Sequence, residues 1–122
     1  MPTLSFDGSV YHSTEVDRKE LVRIAPSLDV DMMMSRLRSS VPAGEAHEVH
    51  FNDLPSNKAT AILFSLSSGA VSVEVTDDSS DAAVFPMSTS GMLILLNTLV
   101  TDLVITETSG TDPAVYDLIA GA

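Results

Sequence analysis

Residues Gly91–Gly121 read GMLILLNTLVTDLVITETSGTDPAVYDLIAG. An apolar run, Met92 to Leu96, is followed by a second segment, Leu103 to Thr108. Ser109-Gly110-Thr111-Asp112-Pro113 then makes a turn, and a last apolar segment closes at Ala114 to Ala120. Short apolar and β-branched runs bounded by Gly, Pro, Asp and Ser have the composition of strands, and the 103–120 portion reads as a closing β-hairpin.

The pattern extends upstream. Ile62, Phe64 and Leu66 share one parity within Ala59–Ser67, Ser68-Gly69 is a turn signal, and Val71, Val73 and Val75 continue the most regular alternation in the chain. Residues 59–76 therefore read as a second hairpin. His47 to Asn52 alternates as a half-buried strand, with Val49 and Phe51 on one face and Glu48, His50 and Asn52 on the other. Asp53–Lys58 and Asp77–Asp81 are loops. Residues 82–87 suit an edge strand, because Pro86 lacks the amide a central ladder needs. About six strands from residue 47 onward, joined by short connections, define an all-β fold. The expectation is an antiparallel, jelly-roll-like β-sandwich over 47–122.

Residues 1–46 are less regular and read as an arm. Asp7-Gly8 suits a hairpin between residues 3–6 and 10–16. Residues 13–25 mix helical and strand signals, with a strand favoured at 20–25. Leu28–Leu37 is equally ambiguous, and its methionines Met32, Met33 and Met34 suit irregular gaps in a core or a subunit contact. Ser39–Glu45 is a connector.

At 122 residues the chain is sized for one domain. Cysteine is absent, which excludes disulfides, thiolate metal sites and thiol nucleophiles. No apolar run approaches the ~20 residues that span a bilayer, and the N-terminus MPTLSFDG has no signal-peptide pattern. A product made in the cytoplasm, with no membrane partner, is expected. The net charge is −11, with a pI near 4.3. That repels phosphate backbones and argues against nucleic acid. Every cation lies at or before Lys58, and five of the six, Arg18, Lys19, Arg23, Arg36 and Arg38, fall within residues 18–38. These five, with Met32, Met33 and Met34, form the expected protein interface.

Catalytic signals are weak. His47 and His50 flank Glu48 at metal-like spacing, but on a strand the two histidines point to opposite faces. Asp77, Asp78 and Asp81 lack the calcium-loop pattern and read as turn residues. No Gly-x-Ser-x-Gly elbow and no phosphate loop occur. No enzyme activity and no cofactor are expected. For carbohydrate binding, the chain lacks Trp, and Tyr11 and Tyr116 are the aromatic pair best placed for exposure.

The C-terminal half, with its apolar segment, Asn97-Thr98, then Thr101-Asp102-Leu103-Val104-Ile105-Thr106, the Ser109-Gly110-Thr111 turn and the closing Ala120-Gly121, resembles small β-rich virion proteins of tailed phages. The similarity covers residues 59–122. It implies a non-catalytic structural protein, made in the host cytoplasm and incorporated in the virion. Such a protein decorates a capsid or forms a neck or tail ring, usually as a homo-oligomer contacting other capsid or tail subunits. The alternative is a β-sandwich module that binds carbohydrate or a cell-surface ligand.

Overall fold

The computed structural model describes residues 32–122 in full, and upstream the backbone of residues 3–5, 8–13, 18–24 and 27–29. Among the described residues, all regular elements are strands apart from one 3-10 turn at Pro55–Asn57. They are β1 (Thr3–Ser5), β2 (Gly8–Ser13), β3 (Arg18–Ile24), β4 (Ser27–Asp29), β5 (Met33–Val41) and β6 (Ala46–His50). The chain continues as β7 (Ala59–Ser68), β8 (Ala70–Asp77), β9 (Ala82–Ser88), β10 (Met92–Glu107) and β11 (Ala114–Gly121).

β5 to β11 form one antiparallel sheet of seven strands, folded over along β10. The first half of β10, Met92–Leu96, pairs with β7, giving the order β5-β11-β7-β10. The second half, from Asp102 on, lies between β6 and β8, giving β6-β10-β8-β9. The corner is built at residues 97–101. Asn97 adopts φ 58°, and both β10 ladders shift register here. The Thr101 hydroxyl reaches the carbonyls of Thr76 (3.3 Å) and Asp77 (3.2 Å), and the Asp78 N–H bonds the Leu99 carbonyl at 3.1 Å. These side-chain and loop bonds replace the ladder bonds lost at the bend, as a sharply bent strand requires. The two apolar segments at 92–96 and 103–108 are thus one bent strand.

The halves face each other across one core. Ile62, Phe64 and Leu66 of β7 meet Val71 and Val73 of β8, Leu103 and Ile105 of β10, and Tyr116 and Leu118 of β11, all at 1% exposure or less. Phe64 and Tyr116 stack with centroids 5.4 Å apart. Burying each such large apolar side chain is worth about 1.5–3 kcal/mol. The all-β sandwich of the jelly-roll kind is therefore correct as a fold class.

Both expected hairpins are wrong, for one reason. β7 pairs with β10 and β11, whereas β8 pairs with β9 and β10, so Ser68-Gly69 carries the chain from one half to the other. The turn at 109–113 does the same, because β11 pairs with β5 and β7 and not with β10. Alternation identifies strands but not their partners, and an arch between facing sheets has the turn residues of a hairpin. Gly69 shows what the arch demands. It sits at φ +90°, and a Cβ there would lie 2.9 Å from the Ala114 Cα where β11 begins. Within the seven-stranded sheet, β8 and β9 form a hairpin, whose turn is closed by the Asp77 carboxylate accepting the N–H groups of Ser79 (2.8 Å) and Asp81 (3.0 Å). β9 is an edge strand, as Pro86 indicates.

The sandwich starts upstream of residue 47. β5 pairs along β11 and contributes Val41 to the core, so residues 33–41 belong to the first half of the sheet. β2 pairs antiparallel with β3, and β1 with β4, in place of the expected pairing across Asp7-Gly8.

Candidate interaction surface

Each half of the folded sheet has an outer face, and the two differ in chemistry. On the second half the outward positions are Glu48 and His50 (β6), Asp102, Val104 and Thr106 (β10), Ser72, Glu74 and Thr76 (β8), and Ala82, Val84 and Pro86 (β9). Register places His50, Asp102 and Thr76 in one row, and Glu48, Val104 and Glu74 in the next. His50 Nε2 lies 3.5 Å from Glu48 and its Nδ1 3.5 Å from Asp102, all three well exposed. The part of this face on β6, β10 and β8 is solvated and acidic, and on edge strand β9 exposed Val84 continues the row of Glu74. Although Glu48, His50 and Asp102 adjoin, no set of three or more His, Asp or Glu side chains among the described residues has a metal-binding arrangement.

The first half is different. Its outward rows read Ser35–Ile119–Leu63–Ile94 and Met33–Gly121–Ala61–Leu96, followed by Asp117–Ser65–Met92. Ala61 is fully buried on this side, packed by Leu96 and Ile119. Leu63, Ile94, Leu96 and Ile119 are half-buried. Met33, Leu37 and Met92 stand at 51%, 65% and 49% exposure. One carboxylate, Asp117, lies in these rows, and its Oδ1 is engaged by the backbone N–H of Arg38 at 2.6 Å. The signal for this face was present in the unbroken apolar runs Ala61–Phe64 and Met92–Leu96. A strand with one wet face alternates, and these do not. Reading only the stronger parity, Ile62, Phe64 and Leu66, left the other one unassigned.

The expected interface residues separate on β5. Met33 faces outward and is exposed, as is Met32, whose N–H and carbonyl bond Ala122 just before the strand. Met34 takes the opposite parity and packs on the core, and half-buried Arg36 shares that inward register, opposite Leu118. Arg38 is exposed at an irregular position, φ 51°. Arg18, Lys19 and Arg23 lie on β3, paired with Ser13, His12 and Ser9. Their side chains lie outside the described residues.

His47 and His50 diverge, as a strand dictates. His47 turns inward, edge-on to Tyr116 at 6.4 Å between centroids, while His50 is outside. Tyr116 is fully buried, so the exposed pair of tyrosines proposed for sugar contact does not form, and Tyr11 lies outside the side chains described. The Tyr116 hydroxyl and His47 Nδ1 are buried without a protein hydrogen-bond partner.

One ionised group is built into the fold. Glu107, at 2% exposure, ends β10 and accepts the N–H groups of Gly44 (2.7 Å), Ser109 (2.7 Å) and Gly110 (2.8 Å), together with the Ser109 hydroxyl. The Ser109 hydroxyl and these amides outweigh burial and lower its pKa to about 2. The carboxylate ties the β5–β6 turn to the β10–β11 arch. A cavity of about 210 Å³ opens at the corner, lined by Val75, Phe85, Leu95 and Val100, with Asp77 and Asp81.

No protein-family model and no curated protein matches this chain. Among solved structures it is similar to the Schizosaccharomyces pombe Cnp3 cupin domain, at 15% identity and a TM-score of 0.45, covering 97% of this chain and 84% of that one.

Proposed function

We propose that this chain is a structural protein that acts by assembly, with the outer face of the first half-sheet as its contact surface. The carrying observation is the asymmetry between the two outer faces, acidic on one side and made of Leu63, Ile94, Leu96, Ile119, Met33 and Met92 on the other. A contiguous apolar face rimmed by polar groups is the physical mark of a protein contact. The second face and the net charge of −11 keep the particle soluble and restrict association to one side. The setting proposed is a virion, where the protein would contact copies of itself and capsid or tail subunits, consistent with the resemblance of residues 59–122 to small phage virion proteins. Residues 47–50 and 77–81 read as ordinary strand and turn residues, so we assign no catalytic step to them.

The test is mass in solution by light scattering, for the wild type and for Leu63→Lys. The wild type is expected at a multiple of 12.9 kDa and the variant at the monomer mass, with unchanged circular dichroism. A wild type that is monomeric at all accessible concentrations, and that does not join any larger particle, would overturn the reading.

A further inference from the structure

We infer that the cavity at the corner of the sandwich binds a small organic cation, an amine carried on an apolar body. The site uses neither outer face and comes from the way the sheet folds over. β9 is the edge of the second half, and Met92–Leu96 of β10, paired with β7, is the edge of the first. The cavity opens between these two edges, because Ala83 and Phe85 of β9 and Leu95 of β10 all line it. Register places these side chains on the inner faces. Ala83 and Phe85 lie opposite Val75 and Val73, and Leu95 lies opposite Ile62. Phe85 and Leu95 pack on the core but stay only partly buried, so their uncovered surface is cavity wall. Buried Val75 and Val100 line its inner end.

Size and chemistry narrow the occupant. A dry apolar cavity of about 150 Å³ takes a benzene ring. At about 210 Å³, this one has room for a ring with a short arm and a head group. Apolar walls with a few convergent polar groups are the general form of a small-molecule site. Here the polar groups are acidic. Asp77 and Asp81 both line the cavity. Asp77 is fixed through its Oδ1, which accepts the N–H groups of Ser79 and Asp81, and its Oδ2 has no partner among the described residues. The Asp81 carboxylate likewise has none. Among the described ion pairs, Lys58 engages the neighbouring Asp78 at 3.9 Å, and none involves Asp77 or Asp81. The Thr98 hydroxyl, also in the lining, donates to the Leu96 carbonyl at 3.2 Å and keeps acceptor capacity. A ligand that only donates suits this set, and carboxylates select a cation. A metal ion does not suit it. No third His, Asp or Glu joins the two carboxylates among the described residues, and calcium takes about six or more oxygen ligands.

The probes are phenethylamine, its neutral analogue phenethyl alcohol, and the anion phenylacetate, each titrated into the isotope-labelled full-length chain and followed by NMR. Phenethylamine should shift the amide signals of Ala83, Phe85, Leu95 and Val100 saturably, with a Kd of about 1 mM or tighter. The alcohol should bind about tenfold more weakly, lacking the charge-assisted hydrogen bonds, and phenylacetate should leave the signals unmoved. Asp81→Asn should lower the affinity for the amine several-fold without changing that for the alcohol. Ala83→Phe, at an exposed position on the edge strand, should fill the mouth and abolish binding of both while the circular dichroism spectrum is retained. If no probe moves these signals saturably, the inference is overturned, including the case in which a side chain of a second copy already fills the cavity. Alcohol or phenylacetate binding as tightly as the amine overturns it too, as does an amine affinity untouched by Asp81→Asn.

Discussion

Replacing Tyr116 by Phe should stabilise this protein, against the usual direction for a core substitution. The hydroxyl is in the centre of the sandwich, on a residue of 0% exposure, with no protein donor or acceptor in reach. A buried polar group left unpaired costs about 1–3 kcal/mol, and Phe removes that cost. The opposing term is small. Losing one oxygen leaves ~10 Å³, which at about 24 cal/mol per Å³ amounts to roughly 0.2–0.3 kcal/mol. The stack on Phe64 and the edge contact with His47 involve the ring and survive. The net expectation is a gain of about 1–2 kcal/mol, or some 3–6 °C in Tm per kcal/mol for a domain of this size. Urea and thermal unfolding followed by circular dichroism would measure it. A loss of about 1 kcal/mol or more would refute the reasoning. It would mean that the hydroxyl is satisfied in solution, most simply by a water shared with His47 Nδ1, the other buried polar atom without a protein partner.

Three further outcomes are expected. Glu107→Gln should lower Tm at neutral pH and flatten its acid dependence. The folded-state pKa of about 2 lies below the ordinary 4.5, so the carboxylate's contribution is complete above about 4.5 and disappears as the pH falls towards 2. Wild-type and variant melting curves should therefore converge near pH 2, and curves that stay parallel would discredit the clasp. Gly69→Ala should cost about 2 kcal/mol or more, combining a left-handed backbone with a Cβ pressed on Ala114. An unchanged urea midpoint would contradict the arch at that position. Leu37→Lys, at a side chain 65% exposed, should alter unfolding free energy by no more than about 0.5 kcal/mol, and a larger loss would place it in the fold's own packing.

How much of this was legible in the sequence depends on which physical signal each feature leaves. Strand positions were legible because period-two burial is local, and Val71, Val73 and Val75 all reach the core as their spacing requires. Pro86 marked an edge through its missing donor. Pairing partners were not legible. Ser68-Gly69 and Ser109–Pro113 have hairpin chemistry, and only the spatial neighbour, Ala114 against Gly69, distinguishes an arch. The bend in β10 escaped notice because Asn97 at positive φ carries a weaker signal than a glycine. For the candidate surface, composition grouped Met33 with Met34, and the strand separates them, Met33 exposed and Met34 packed on the core, since adjacent strand residues face opposite ways. Leu63, Ile94 and Ile119 were visible as apolar residues, but assigning them to an outer face needed the register of three strands. Glu107 looked like any other carboxylate of an acidic half until Gly44, 63 positions away, was placed beside it.

The most direct test of the central claim compares two masses measured by light scattering, those of the wild type and of Ile94→Lys. Ile94 lies in the middle of the apolar outer face, opposite Leu63. The account predicts an oligomer of the 12.9 kDa chain that the lysine reduces to monomer, while the circular dichroism spectrum and melting cooperativity are retained. A wild type and variant of identical mass, both folded, would contradict it.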